Sequence, residues 1–152
     1  MEKNPCEIVR VSDIEDVDLA LIQLKSKETP EEAYIFATSD RCEKSFFEKL
    51  SSKDNDDKLV MGQELYMIGY NAGPVLANTK KGIKVQMTSG KVTQLSDGQR
   101  ILYDIATVSG SSGSPIIDTK GYLVAVNFAK LNGSDNFNFG VPLERIKEFM
   151  NW

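Results

Sequence analysis

Histidine is absent from this 152-residue sequence, and cysteine occurs only twice, as Cys6 and Cys42. Because histidine is missing and the two cysteines lack metal-ligand spacing, a zinc site of the usual kind is excluded. Two cysteines are also too few for a disulfide scaffold, so we expect either two free thiols or one disulfide. We expect no cofactor and no metal.

Basic residues and long apolar runs are scarce as well. Lysine and arginine number 18 against 22 aspartates and glutamates, which gives a formal net charge of -4. Nucleic-acid binding needs a basic face, so we do not expect a nucleic-acid partner. No apolar run approaches the roughly 20 residues that a membrane-spanning helix needs. The 41% hydrophobic and 26% charged residues are typical of a globular domain.

Many short strand-like runs, separated by turn residues, make up most of the sequence. The segment "SPIIDTKGYLVAVNF" predicts a hairpin that turns at Gly121, and "GIKVQMTSGKVTQLSDG" is interpreted as two strands with a bend at Gly90. Near the carboxyl end, Ile146, Phe149 and Met150 recur at helical spacing and predict a short amphipathic helix. The pattern indicates an all-β barrel or sandwich followed by one helix.

The first third of the chain differs from the rest. Two strand-like runs, Glu7–Val11 and Asp18–Leu24, precede a polar stretch that ends in "SSKDNDDK" and is typical of a surface loop. From Lys58 onward the strand pattern is regular. We therefore expect residues 58–152 to form one unit, with residues 1–57 as a separate, smaller part and its connecting loop.

The loop "SGSSGSP", from Ser109 to Pro115, is the most informative stretch. Its composition is that of a flexible linker, but linkers lie in polar surroundings. This loop lies instead between the strand-like segments "ILYDIATV" and "PIID". It is therefore interpreted as a tight turn in which Gly110 and Gly113 supply positive φ angles. From the loop alone, a purely structural turn and a nucleophile loop both remain open.

Four segments in order resemble trypsin-like serine proteases, most closely the bacterial HtrA-type branch. The stretch "DIATVSGSSGSPIIDTKGYLVAVNF" resembles the active-serine region, and "DVDLALIQL" resembles the segment that carries the triad aspartate. "VMGQELYMIGYNAG" is similar to the strand that opens the second barrel, and "FNFGVPLERIKEFM" to the closing strand and helix. The resemblance covers nearly the whole chain except about residues 29–57. It implies a two-barrel fold with the second barrel complete and the first represented only by its final strands.

The resemblance also implies a function and a set of catalytic residues. The function is serine endopeptidase activity on polypeptides through an acyl-serine intermediate, with Ser112 in the place of the nucleophile. The N–H groups of Gly110 and Ser112 take the place of the oxyanion hole. Asp18, selected by the register of "DLAL", takes the place of the triad carboxylate. Ser111 stands where the family usually has Asp or Asn, and Ser114 replaces its second glycine.

In the family, an extended substrate pairs with the strand that follows the nucleophile hairpin. Six residues of this sequence match the substrate-binding segments: Ala106, Thr107 and Val108 at the specificity pocket, and Asn127, Phe128 and Ala129 on the pairing strand. No acidic residue there would attract a basic side chain. We therefore expect a small-to-medium apolar residue before the scissile bond. The alternative is that "LVAVNF" is simply a core strand.

The residue that activates the serine is missing. In the family, a histidine that precedes the aspartate by a few tens of residues accepts the serine proton. Asp18 follows Met1 by only 17 residues, which is 18 minus 1, so the resemblance places this histidine upstream of the sequence. We therefore expect the chain alone to have little or no peptidase activity, as a truncated protease or as a naturally inactive relative. A lysine base is disfavoured because the lysines are scattered over loops.

Two other classes of function remain open. One is a non-catalytic barrel that binds extended peptides or a protein partner through the same groove. The other is a plain scaffold domain, which predicts a loop whose two N–H groups do not converge.

Overall fold

The computed structural model describes residues 5–13, 17–28, 59–130 and 137–150. The polar stretch before Leu59 and the second cysteine, Cys42, lie outside the described residues, whereas Cys6 is an exposed free thiol. The described elements in chain order are β1 (Cys6–Val11), β2 (Ala20–Leu24), β3 (Glu64–Gly69), α1 (Pro74–Ala77), β4 (Asn78–Thr79), β5 (Gly82–Ile83), β6 (Gln86–Gln94), β7 (Ile101–Tyr103), β8 (Pro115–Asp118), β9 (Leu123–Lys130), β10 (Asn138–Pro142) and α2 (Leu143–Met150).

Six of the strands close into an antiparallel barrel in the order β10-β7-β6-β3-β8-β9. Alternate residues point inward, so Leu65 and Met67 of β3 are fully buried while their neighbours are not. Tyr103 and Ile116 extend the same core from β7 and β8. The all-β prediction is confirmed, and of its two variants the structure shows the barrel.

The predicted hairpin and the predicted terminal helix are both confirmed. Strands β8 and β9 pair antiparallel, and Gly121 has a φ of 83° in the turn that joins them. Asp118 closes this turn, because its side chain accepts the N–H groups of Lys120 and Tyr122 at 2.9 Å. Helix α2 buries Ile146 and Phe149. Neither helix among the described residues is long and apolar enough to cross a membrane.

Strands β1 and β2 form a separate hairpin that packs against helix α2. Val17, which lies just before β2, is buried against Val141 and Ile146. The guanidinium of Arg10 donates to the carbonyl of Phe149 at 2.6 Å and lies 4.9 Å from the centre of its ring. These contacts attach the hairpin to the barrel beside the loop that contains Ser112.

The predicted bend at Gly90 is wrong. Gly90 lies inside β6, a single strand of nine residues. A Cβ at this position would lie 2.5 Å from Oδ1 of Asp104 and 2.6 Å from the backbone nitrogen of Ile105. The glycine is therefore explained by the close passage of the segment that leads to the Ser112 loop, since a glycine inside a strand often marks such an approach.

Candidate active site

Hydrogen bonds from its own backbone close the loop around Ser112. The N–H of Ser111 donates to the carbonyl of Val108 at 3.0 Å, and the N–H of Ser114 donates to the carbonyl of Ser111 at 3.1 Å. Gly110 and Gly113 have φ angles of 95° and 83°, as the sequence predicted. The left-handed conformation at these two positions lets the chain reverse twice within six residues, from Ser109 to Ser114.

The amide groups of Gly110 and Ser112 are among those of this loop that remain unpaired. The N–H groups of Ser111, Gly113 and Ser114 all donate to backbone carbonyls. In contrast, the N–H groups of Gly110 and Ser112 make no hydrogen bond with any of the residues that the structure describes. Both residues are exposed.

The side chain of Ser112 is exposed and loosely held. Among the described residues, its hydroxyl has one acceptor within hydrogen-bonding distance, the carbonyl of Phe128 at 3.3 Å. This distance is longer than that of a typical hydroxyl hydrogen bond. A carbonyl oxygen is also too weak a base to take the serine proton. Ser112 is therefore accessible, and no side-chain base among the described residues is hydrogen-bonded to its hydroxyl.

Asp18 and Ser112 line the same cavity, whose volume is about 580 Å³. Its walls also include Ile22 of β2 and Ile146 and Phe149 of α2. The carboxylate of Asp18 makes no hydrogen bond or ion pair within the described part of the chain. The structure thus brings together the two residues that the sequence predicted for one catalytic site. The cavity is large enough for a side chain or a small ligand.

A buried polar network lies beneath the loop. The amide nitrogen of the Asn127 side chain donates to the carbonyl of Ser111 at 3.0 Å. The hydroxyl of Tyr103 lies 2.7 Å from the side-chain oxygen of Asn127 and 3.0 Å from the carbonyl of Phe139. Burial raises the pKa of the Tyr103 hydroxyl above its ordinary value, so this hydroxyl stays a protonated donor. The loop is therefore tied to the barrel core by groups that stay uncharged.

Ser111 forms a second anchor, which joins the loop to the end of β3. Its hydroxyl donates to the side-chain oxygen of Asn71 at 2.6 Å and accepts the N–H of Val108 at 3.1 Å. Ser111 and Asn71 are both buried. Neither Asn71 nor Tyr103 was predicted from the sequence as a supporting residue. Asn71 is a polar residue two positions after a buried strand, and this pattern could have identified it as a supporting residue.

The structure accommodates Ser114, which stands where the family that the sequence resembles has a glycine. Ser114 is buried, and its side chain lies against Gly69 at the end of β3. A Cβ on Gly69 would lie only 2.1 Å from the hydroxyl oxygen of Ser114. Gly69 therefore provides the space that the Ser114 side chain occupies.

The residues predicted to bind substrate differ in their accessibility. Ala106 and Val108 are exposed, and Thr107 is half-buried with its hydroxyl donating to the side chain of Asn138. Asn127 is buried, and both of its backbone groups are taken up: the N–H donates to Ser114 and the carbonyl accepts from Gly113. Asn127 therefore builds the loop and has no backbone group left for a bound strand.

Phe128 and Ala129 lie on β9 beyond its contact with β8. The last β9 residue that pairs with β8 is Val126, opposite Pro115. On the other side, β9 remains paired with β10 as far as Lys130. The edge of β9 that carries Phe128 and Ala129 is therefore not paired with β8, and it begins next to Ser112.

We expect Gly110→Ala to disturb the loop, whereas Gly121→Ala serves as its control. Both glycines have a positive φ, but a Cβ at Gly110 would lie 3.0 Å from the nitrogen of Gly73 and 3.1 Å from the carbonyl oxygen of Tyr70. A Cβ at Gly121 meets nothing within 4 Å. Both variants should lose about 1 kcal/mol of unfolding free energy from backbone strain.

Only Gly110→Ala should lose about another 1–2 kcal/mol through the added contacts. Urea unfolding of the two variants measures this difference. Equal stability of the two variants would contradict the packing of Gly110 against the turn at Gly73.

Comparisons with known proteins give one family match and a structural match. A family model described as a trypsin-like peptidase domain matches residues 2–126. No curated protein matches the sequence. Among solved structures, the serine endoprotease from Yersinia pestis matches with a TM-score of 0.52 and 18% sequence identity. The match covers 64% of this chain and 33% of that one, so the chain spans about a third of that protein's length. At this identity, the likeness shows a shared fold.

Proposed function

The chain belongs to the trypsin-like peptidase domain family, because the family model spans most of its sequence, and from this premise we propose that it carries the acyl-transfer part of a serine endopeptidase site with Ser112 as the nucleophile. The observation that carries the proposal is the pair of unpaired amides, at Gly110 and Ser112, beside an exposed hydroxyl.

In the proposed reaction, the Ser112 oxygen forms a bond to the carbonyl carbon of a peptide. The electron pair of the carbonyl moves onto its oxygen, which the N–H groups of Gly110 and Ser112 would stabilise. Each such donor contributes roughly 3–4 kcal/mol to the transition state in comparable sites. The carbon–nitrogen bond then breaks, and the leaving amine takes up the proton that the serine gave away.

The proton acceptor for this step is what the chain lacks. The sequence contains no histidine, and among the described residues the acceptor within hydrogen-bonding distance of the Ser112 hydroxyl is a backbone carbonyl. Asp18 lines the same cavity as Ser112, and we propose that it would orient an imidazole bound there. We propose that the chain on its own does not turn over peptides, and that an imidazole in this cavity completes the site.

The proposed substrate is an extended polypeptide that adds as a strand to the unpaired edge of β9. Phe128 and Ala129 would provide the backbone groups, by the strand-addition mode that other peptide-binding domains use. Ala106, Thr107 and Val108 would border the pocket for the side chain before the scissile bond. None of these residues is charged, which favours a small or medium apolar side chain in that pocket.

Labelling by phosphonate fluorides tests the nucleophile. We expect the chain to be labelled slowly, over hours, as detected by mass spectrometry of the intact protein. We expect no labelling of Ser112→Ala. Ser109→Ala is the matched control, because it removes an exposed serine of the same loop and should label as the unmodified chain does. A phosphonate fluoride that presents a valine-like side chain to the pocket before the scissile bond should react faster than one that presents a lysine-like side chain.

Two results would contradict the proposal. Labelling that persists in Ser112→Ala would show that Ser112 is not the nucleophile. Rapid labelling of the unmodified chain, together with peptide turnover, would show that it needs no added base.

The absence of histidine also favours a second candidate function, a non-catalytic barrel that binds extended peptides. It would use the same β9 edge without acyl transfer. It predicts peptide binding that Ser112→Ala leaves unchanged, together with no labelling of Ser112 even when imidazole is present. The proposed peptidase site predicts the opposite labelling result.

A further inference from the structure

A region of positive charge lies on the β3–β6 side of the barrel, although the whole chain carries a net charge of -4. The sequence from Leu65 to Ser96 contains four lysines and no acidic residue. Lys80 and Lys81 form the turn between β4 and β5, and Lys84 follows β5 directly. All three are exposed, and within the described part of the chain no carboxylate pairs with them.

Residues that neighbour these lysines in the sequence line an open apolar groove of about 560 Å³. Tyr70, Pro74, Ala77 and Ile83 provide most of its lining. On the same short helix α1, Val75 is 82% exposed and Leu76 is 57% exposed. A contiguous exposed apolar patch can mark a binding surface.

The lysines lie at the edge of this groove because of the local hairpin. The N–H of Lys84 donates to the carbonyl of Ala77 at 2.9 Å, and Asn78 pairs with Ile83. Thr79 stabilises the turn, since its hydroxyl donates to the carbonyl of Gly82 at 2.7 Å. The hairpin thus holds the backbone of these lysines next to the residues that line the groove. We name this surface, formed by Tyr70–Lys84, the lysine-rimmed groove.

We propose that the lysine-rimmed groove binds an acidic polypeptide segment that carries apolar side chains. The unpaired lysines supply the attraction for carboxylates, and complementary charge selects partners and speeds their association. The apolar lining, with Val75 and Leu76 beside it, supplies the surface that apolar anchors of the segment would cover. A nucleic acid fits less well, because most of the lining is aliphatic and Tyr70 is its one aromatic side chain.

This proposal does not depend on Ser112. The groove borders the Ser112 loop, since Gly110 packs against the turn at Gly73, but its residues take no part in the proposed acyl transfer. Binding should therefore be the same in the unmodified chain and in Ser112→Ala. A failure here would leave the labelling of Ser112 unaffected.

Fluorescence polarisation with a panel of labelled peptides tests the groove. Each peptide alternates glutamates with leucine or phenylalanine, and its counterpart has lysine in place of every glutamate. A single-stranded oligonucleotide of the same charge is included. We expect saturable binding of the acidic peptides only, with an affinity that falls as salt is added.

Two double charge reversals provide a matched comparison. Lys80→Glu with Lys81→Glu should weaken binding of the acidic peptides by about tenfold or more. Lys25→Glu with Lys27→Glu changes the net charge equally but alters exposed residues after β2, and it should leave binding nearly unchanged.

Val75→Ser with Leu76→Ser should also weaken binding about tenfold, since the apolar contact is removed.

The outcomes that overturn the proposal are specific. No saturable binding of any acidic peptide at about millimolar concentration would do so. Equal binding of the lysine peptides or tighter binding of the oligonucleotide would do so as well, as would equal losses in the two charge-reversed variants.

Discussion

Free imidazole is expected to accelerate the phosphonate labelling of Ser112 by about 100-fold, because a general base typically contributes a factor of about 100 to 10,000. The cavity that Asp18 and Ser112 both line has a volume of about 580 Å³, which is ample for one imidazole ring. One ring nitrogen would accept the serine proton, while the N–H of the other would donate to the Asp18 carboxylate. The acceleration is measured as the labelling rate against imidazole concentration, and it should saturate.

Asp18 gives this prediction its specificity. Asp18→Asn should reduce the imidazole effect about tenfold or more, since an amide orients the ring less well and does not offset its developing charge. N-methylimidazole is the matched chemical control, because it is a base of similar strength without an N–H to donate. It should accelerate labelling less than imidazole does, and its effect should not depend on Asp18.

The pH dependence of this acceleration follows from the same role. Only neutral imidazole accepts a proton, so the accelerated rate should rise as the pH passes through about 6.5 to 7 and then level off. Acceleration that never saturates, is identical for N-methylimidazole, and survives Asp18→Asn would show that imidazole acts from bulk solvent. The cavity that Asp18 and Ser112 share would then have no catalytic role.

The parts of the fold that the sequence predicted are those set by neighbouring residues. The positive φ angles of Gly110 and Gly113, and the hairpin turn at Gly121, follow from glycines between strand-like runs. Helix α2 follows from the spacing of Ile146 and Phe149. These features depend on local backbone preference and on hydrophobic period, both of which a single sequence displays.

The supports of the Ser112 loop could not be predicted in this way. Ser111 and Asn71 are 40 residues apart, and Tyr103 and Asn127 are 24 residues apart. Buried hydrogen bonds between such distant residues depend on which strands become neighbours in the barrel. The same limit explains Asn127, which the family resemblance placed on the pairing strand. Its backbone groups are occupied because the Ser112 loop folds back onto that residue.

The register of "DLAL" alone selected Asp18 among several acids of the same turn. Strand β2 begins at Ala20, so Asp18 lies before the strand that was predicted to start with it. The backbone N–H of Leu19 donates to the carbonyl of Val17, and Val17 is buried against helix α2. The position of Asp18 on the cavity therefore rests on the packing of Val17, which the sequence pattern did not identify.

Gly90→Val is expected to lower the free energy of unfolding by about 3 kcal/mol, at the upper end for overpacked cores. Strand propensity alone predicts that the substitution raises the free energy of unfolding, because valine is favoured over glycine in a strand. The structure reverses this expectation, since a Cβ would lie 2.6 Å from the nitrogen and 2.8 Å from the Cα of Ile105. Backbone atoms cannot turn away as a side chain can. The N–H of Lys91, which donates to Asp104, would lose its acceptor when that segment moves.

Ser89→Val is the control for this variant. Ser89 is the preceding residue of β6, and its side chain is exposed on the opposite face. Valine there gains strand preference without any clash, so its stability should equal or slightly exceed that of the unmodified chain. Urea unfolding compares the two variants, and phosphonate labelling reports on the loop beyond Asp104. Because the displaced segment leads directly to Ser112, Gly90→Val should also slow labelling in the presence of imidazole. Unchanged stability of Gly90→Val would mean that β6 and the segment at Asp104 are not in contact, and the loop would then lack this part of its support.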